Sequence, residues 1–374
     1  MKISVNIARI IVGVLFIFSG LVKANDPYGL SYKMQEFFEV WNFHWLDNYT
    51  LTFSLLMNAF EIIAGFAVLL GWRMRLFSWL LLLLIIFFTF LTGYALFSGK
   101  IKTCGCFGDC IPLTAKQSFI KDLILLALIL LIFVYRNKIK PLFKSSFSIG
   151  LLLLVTVLSF GFQWYVMQYL PVKDCLAFKK GNNILEQMKV PADAIMPVTE
   201  TVFTYEKSGK QFTFTTDFPA DLDTYKFIGR EDKIIKEGKN YEPPVKDFKL
   251  NTLAGVDTTE SILNQTGEYY FLFIKDFDGL STSDKWFSYI INIIQKLKSQ
   301  NIPFYIVTAQ GDIANNFFNG GRDKFDVTIF TCDGTEIKTA ARTKPCLFKM
   351  KGAIIENKWG KSSLGNVLHE IFNY

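Results

Sequence analysis

Histidine is nearly absent. The chain carries only His44 and His369, far apart, so a histidine-based metal site or catalytic triad has no raw material. A basic stripe with interleaved aromatics is missing too, and with it the footprint of a nucleic-acid binder. The formal net charge is nonetheless +7, but lysine and arginine also anchor helices at the cytoplasmic face of a membrane. That account fits the composition better. Charged residues make up 20% of the chain and hydrophobic ones 51%, and the hydrophobic ones come in blocks such as 80–88 and 151–155.

Crossing ~30 Å of hydrocarbon takes about 20 apolar residues in a helix. Five segments qualify, roughly 3–22, 51–71, 76–97, 119–135 and 147–170. Acid is missing from the loop holding Arg136, Lys138, Lys140 and Lys144, and Arg73 and Arg75 fill the loop between the second and third segments. Positive-inside bias puts both loops in the cytoplasm. The N-terminus is then cytoplasmic, and five crossings carry the C-terminal part to the outer, periplasmic side of a bacterial inner membrane. A signal peptide cut near Val22-Lys23-Ala24 is the rival reading of the first segment. Arg9 interrupts that segment, and its apolar run is longer than a usual signal core.

Two charges fall inside predicted spans, Arg9 and Glu61. Ionisable groups are costly in a bilayer and are usually paired. The sequence predicts an Arg9–Glu61 pair that fixes helix register, with Asn58 one turn before Glu61 completing its hydrogen bonding. The functional alternative is a proton site or a quinone-headgroup site.

Six cysteines are present, and Cys104, Cys106 and Cys110 fall within seven residues. They sit on the outer-side loop between the third and fourth spans, where Gly105 and Gly108 permit tight turns. Cys104 and Cys106 are too close in sequence for an easy mutual bond, and Cys110 is a better partner for either. Cys175, just beyond the fifth span, is placed to meet the same loop. Three readings stay open: one or two structural disulfides clamping the loop, a redox-active thiol pair exchanging with a partner, or an all-thiolate zinc site whose spacing departs from the usual pattern. No metal is expected on balance.

Residues 1–140 resemble the DoxX/MauE family of small bacterial membrane proteins. The resemblance is carried by Phe18-Ser19-Gly20-Leu21-Val22-Lys23, Asp26-Pro27-Tyr28-Gly29, Lys33, Glu61, Gly65, Gly71, Cys104-Gly105-Cys106-Phe107-Gly108-Asp109, and Phe119-Ile120-Lys121-Asp122. The MauE branch is associated with maturation of methylamine dehydrogenase, an enzyme rich in disulfides, and the DoxX branch is named for a quinol-oxidising complex. The resemblance therefore implies a redox-associated membrane protein.

The rest divides at Tyr241-Glu242-Pro243-Pro244-Val245. Residues 141–171 hold the fifth span, 172–246 a small β-rich connecting region with a hairpin around Lys207–Lys210, and 247–374 an α/β domain. In that domain a short strand is expected at 247–250, strands at 269–274, 304–308 and 325–330, a helix over 286–298, a hairpin from Pro345 to Ile355, and a helix over 364–372. This order is similar to the thioredoxin fold, with Pro345 where that fold carries a cis-proline. The redox Cys-x-x-Cys is missing: the first strand runs into Lys275, Asp276, Phe277 and Asp278 instead. Cys332 and Cys346 read as a structural pair or as small buried hydrophobes more readily than as catalytic groups.

The fold class is thus an α-helical membrane bundle of four to five spans plus a thioredoxin-like α/β domain and a β-rich linker. The expected function is a redox-associated membrane accessory, assisting disulfide formation or maturation of envelope proteins through Cys104, Cys106, Cys110 and Cys175. Its partners would be membrane lipid, an envelope client or a thiol–disulfide partner, with quinone as the one cofactor in view. The alternative is a membrane-anchored binding scaffold with structural disulfides. A small-molecule transporter is a third class, with little substrate pathway to support it.

Overall fold

Among the described residues of the computed structural model, five helices are long and apolar enough to cross a membrane, as the hydrophobic blocks predict. The structure describes residues 2–101, 105–236, 238, 240–320 and 325–372. The spanning helices are α1 (Lys2–Ala24), α3 (Thr50–Leu70), α4 (Met74–Ser98), α5 (Ala115–Tyr135) and α6 (Ser145–Tyr169), and α2 (Pro27–Val40) lies between the first two. α2 was not expected from the mixed charges of the first loop. Its start is nevertheless written locally: Asp26 caps it by accepting from Gly29 N at 3.1 Å, and Pro27 occupies its first turn, where a missing N–H costs nothing.

α1 and α3 run antiparallel at very close range. A Cβ on Gly65 would lie 2.7 Å from the carbonyl oxygen of Gly13, so the two backbones touch where small residues face each other. The ends of the bundle sort cleanly. Arg9, the turn after α3 and the segment after α5 share one end, where Leu142 N donates to Leu70 O at 2.9 Å. The opposite end carries α2, the loop around Cys106 and the chain leaving α6.

That departing chain is tied to the C-terminal part at once. Gly181 N donates to Ile355 O and Ile184 N to Ala353 O, each at 2.8 Å, which leads into the single turn α7 (Ile184–Gln187). A three-stranded antiparallel sheet follows, from β1 (Val198–Lys207), β2 (Lys210–Phe214) and β3 (Lys226–Lys236), in the order β2-β1-β3. β1 and β2 are the expected hairpin, turned by Ser208 and Gly209 at positive φ, the geometry that matches strand twist. β3 is additional.

The last part holds α8 (Thr259–Leu263), β4 (Glu268–Ile274), α9 (Lys285–Ser299), β5 (Phe304–Thr308), α10 (Gly311–Asn319), β6 (Thr328–Thr331), α11 (Gly334–Ala340), β7 (Cys346–Lys351), β8 (Ile354–Gly360) and α12 (Leu364–Phe372). The five strands form one sheet ordered β6-β5-β4-β7-β8; β6, β5 and β4 are parallel and the other two antiparallel. After Glu268, β4 is an unbroken apolar and aromatic run because both its faces are covered. Tyr269, Phe271 and Phe273 enter one core, while Tyr270, Leu272 and Ile274 meet Ile290, Ile293, Ile294 and Leu297 of α9 in the other. The strand expected at 247–250 is not one. Phe248 and Leu250 plug the first core, and only Asn251 bridges, to Asp257 and Thr331. α10 and α11 were not expected.

Candidate functional site

The expected Arg9–Glu61 pair does not form. Arg9 donates through Nε to Val68 O at 3.2 Å and through Nη2 to Leu69 O at 2.9 Å, capping the end of α3. The reason is helix level. In the antiparallel α1–α3 pair, Gly13 stands opposite Gly65, so Arg9 stands opposite residue 69. Glu61 is eight residues further along, about 12 Å at 1.5 Å per residue. Its partners are accordingly Ser19 and Lys23: Ser19 Oγ lies 3.0 Å from Glu61 Oε2, and Lys23 Nζ pairs with Glu61 Oε1. Asn58 does not serve Glu61 either; its Nδ2 donates to Gln163 Oε1 of α6 at 3.1 Å.

A second pair stands beside the first. Lys121 Nζ lies 2.6 Å from Asp122 Oδ1, and Thr92 Oγ1 donates to Asp122 Oδ2 at 3.0 Å. Lys23, Glu61 and Asp122 are buried, each a charge costing several kcal/mol in an apolar interior unless paired. The two pairs, Ser19 and Cys106 surround one small cavity of about 30 Å³, a size that suits water. Cys106 is buried at its outer edge, and its carbonyl oxygen lies 3.0 Å from Ser19 Oγ. Lys121 and Lys23 each lie 5.2 Å from an aromatic centroid, those of Phe107 and Phe88, within cation–π range. The cysteine therefore sits over two ammonium groups and two carboxylates. Such a setting can hold a thiolate and accept its proton.

A larger cavity of about 490 Å³ opens on the other side of Cys106, between α2, α3 and α4.

The loop is pinned from two directions. Cys110 is disulfide-bonded to Cys175, with Cα atoms 5.0 Å apart, so neither sulfur is a free thiolate in this structure. Cys104 lies outside the described residues. The C-terminal part holds the loop from above: Arg342, ahead of β7, donates through Nε to Asp26 Oδ2 at 2.8 Å and through Nη2 to Asp109 Oδ2 at 3.0 Å. Beside it, Lys275 donates to Tyr32 Oη at 3.0 Å and lies 3.8 Å from the Tyr28 ring centroid. Burial, helped by Arg342, lowers the Lys275 ammonium to about 7. The mouth of β4, where a redox motif was sought, is thus occupied by α2.

The Lys344–Pro345 bond is cis. Cys346 is fully buried in β7 and Cys332 nearly so, and they do not form a disulfide with each other. Burial pushes the Cys346 thiol up to about 11 and the Cys332 thiol up to about 12. Both are inert as nucleophiles at neutral pH and pack as small hydrophobes in one core.

Sequence reasoning missed Lys23, Lys121, Asp122, Lys275 and Arg342 as members of the site. A signal existed for the first: Phe16, Ser19 and Lys23 recur at helical spacing, on the face of α1 that meets α3. Nothing local flags Lys275 or Arg342.

A family model described as methylamine utilisation protein MauE matches residues 1–135. With the five apolar helices, this supports a MauE-type membrane protein whose family suggests an accessory role in redox or cofactor-related maturation. A second model, described as a domain of unknown function, matches residues 199–237. No curated protein and no solved structure matches the chain.

Proposed function

We propose that this chain is a membrane-embedded thiol–disulfide accessory for envelope-protein maturation, with Cys106 as its reactive sulfur. The observation that carries the reading is the convergence of a buried ion pair, Lys23–Glu61, and a half-buried one, Lys121–Asp122, around one cavity with that cysteine. A helix bundle needing only an anchor gains nothing from three buried charges, whereas thiol exchange needs cations for the thiolate and carboxylates for its proton. In the balanced step, a client dithiol reduces a disulfide held at Cys106. The client gains an S–S bond, the protein becomes a dithiol, and two electrons and two protons are transferred. Cys110–Cys175 serves as the permanent clamp.

The C-terminal part is best read as a thioredoxin-like unit turned to a holding role. Its strand order and cis-Pro345 support that fold, while Arg342 and Lys275 grip α2 and the loop in place of a client. Positive-inside bias at the end holding Arg73, Arg75, Arg136, Lys138, Lys140 and Lys144 favours a cytoplasmic N-terminus and a periplasmic C-terminal part in a bacterial inner membrane.

The test is differential thiol labelling in intact membranes, with each cysteine assigned by mass spectrometry, before and after addition of a reduced envelope dithiol protein. Cys106 is expected to move between oxidised and reduced pools while Cys110 and Cys175 stay oxidised. A Cys106 that never changes state sinks the reading and leaves an anchored scaffold with inert sulfur chemistry.

A further inference from the structure

The end of the bundle that carries both basic loops has no acid to balance them. Residues 1–25, 62–108 and 123–173 contain no Asp or Glu. The cations there turn to neutral partners instead. Arg75 donates to Asn137 Oδ1 at 2.9 Å, Arg136 donates to Phe133 O at 2.6 Å, and Lys138 Nζ lies 5.3 Å from the Tyr135 ring centroid. At this end a cavity of about 520 Å³ lies between the foot of α1 and the segment joining α5 to α6. Arg9, Lys138 and Lys140 line it. Arg9 is buried, and its bonds to Val68 O, Leu69 O and Asn6 Oδ1 leave part of the guanidinium's donor set unused. Lys138 and Lys140 are exposed. The rest of the wall is largely apolar: Val5 is buried in it, and Leu142 is exposed at its rim. Val134 of α5, beside the lining residue Tyr135, is exposed on the outside of the bundle. A ligand that fits is anionic at one end and apolar at the other.

We propose that this cavity binds the phosphodiester of an anionic phospholipid, with Arg9, Lys138 and Lys140 around the phosphate and the acyl chains against α5. Basic pockets between spanning helices select lipids of this kind. A zwitterionic lipid brings its own ammonium into a site that has three cations and no carboxylate, so the cavity discriminates against it. Bound there, the phosphate bridges α1 and the α5–α6 connection and offsets charges that otherwise repel one another. The site stands apart from the sulfur chemistry and does not rest on the thiol–disulfide reading.

The experiment uses the full chain, stripped of lipid in a neutral detergent and titrated with phosphatidylglycerol or phosphatidylcholine, with bound lipid counted by native mass spectrometry. Phosphatidylglycerol is expected to be retained at concentrations about tenfold below phosphatidylcholine. Lys138→Gln/Lys140→Gln is expected to abolish that preference. Lys210→Gln/Lys226→Gln, an equal change of charge at exposed positions of the three-stranded sheet, is expected to keep it. Equal retention of the two lipids, or a preference that survives the first double variant or falls equally in the second, overturns the site. Displacement of phosphatidylglycerol by millimolar inorganic phosphate makes the ligand a soluble anion and overturns the lipid. A wild-type arm decides the matter even if the first variant fails to fold. Photoreactive diazirine-phosphatidylglycerol in nanodiscs is expected to label residues 135–142 and the first turns of α1, and labelling spread evenly over the lipid-facing helices overturns the proposal.

Discussion

Lys23 and Glu61 have side chains only 2% exposed, and their energetics are asymmetric. Two charges moved together out of water lose solvation that their attraction roughly repays, whereas one left behind keeps the whole penalty, about 3–5 kcal/mol. Glu61→Gln is therefore expected to destabilise the bundle by about that amount. The double variant Lys23→Met/Glu61→Leu is expected to recover most of it, as measured by thermal unfolding in detergent. Under the proposed function the double variant also loses thiol exchange, because it removes the cation and the proton acceptor at once. A double variant as unstable as the single one shows that the two charges are not coupled. This separates a pair retained for packing from one retained for chemistry, which burial alone does not do.

The α1–α3 crossing sets the level of every residue in the site. Gly65→Val drives side-chain carbon into the Gly13 carbonyl and Ile17 and is expected to cost about 1–3 kcal/mol. Gly161→Ala in α6, where a Cβ meets nothing within 4 Å, should be neutral or slightly stabilising in the same detergent melts. The spans were legible because bilayer thickness forces length and hydrophobicity together. α9 was legible from its isoleucine stripe, β4 from its unbroken apolar run, and the hairpin from Ser208-Gly209. The level of Glu61 was not, since distances counted from predicted span edges ignore which residues of two helices touch; here Gly13 and Gly65 decide it. α2 hid in a mixed-charge loop. α10 and α11, at 9 and 7 residues, are too short for periodicity to speak, and β3 is too polar. The sulfur pattern was readable as far as its candidates, and the choice of Cys110–Cys175 came from how α6 exits beside the loop.

At the scale of the whole molecule, a cluster around Lys275 and Arg342 helps join the C-terminal part to the membrane helices, and its docking is expected to respond to pH. Lys275 is surrounded by Tyr28, Tyr32, Asp26, Asp276, Arg342 and Lys344. Undocked, its ammonium titrates near 10.5; docked, at about 7. Between those values the docked form holds fewer protons, so docking tightens as pH rises from about 7, while below 7 the burial cost is fully present. Burial raises the phenols of Tyr28 and Tyr32 above their ordinary value. Hydrogen exchange in α2, corrected for intrinsic rates, is expected to slow between pH 7 and pH 9, and Lys275→Met to flatten the dependence. An unchanged profile in that variant removes Lys275 as the cause. The Arg342 grip on Asp26 spans 316 residues of sequence. At roughly 5–20 residues per second, the ribosome delivers Asp26 some 15–60 s before the arginine that covers it. During synthesis the loop around Asp109 is therefore made well before the arginine that grips it, so the loop's hold by the C-terminal part is acquired only once that later segment has emerged.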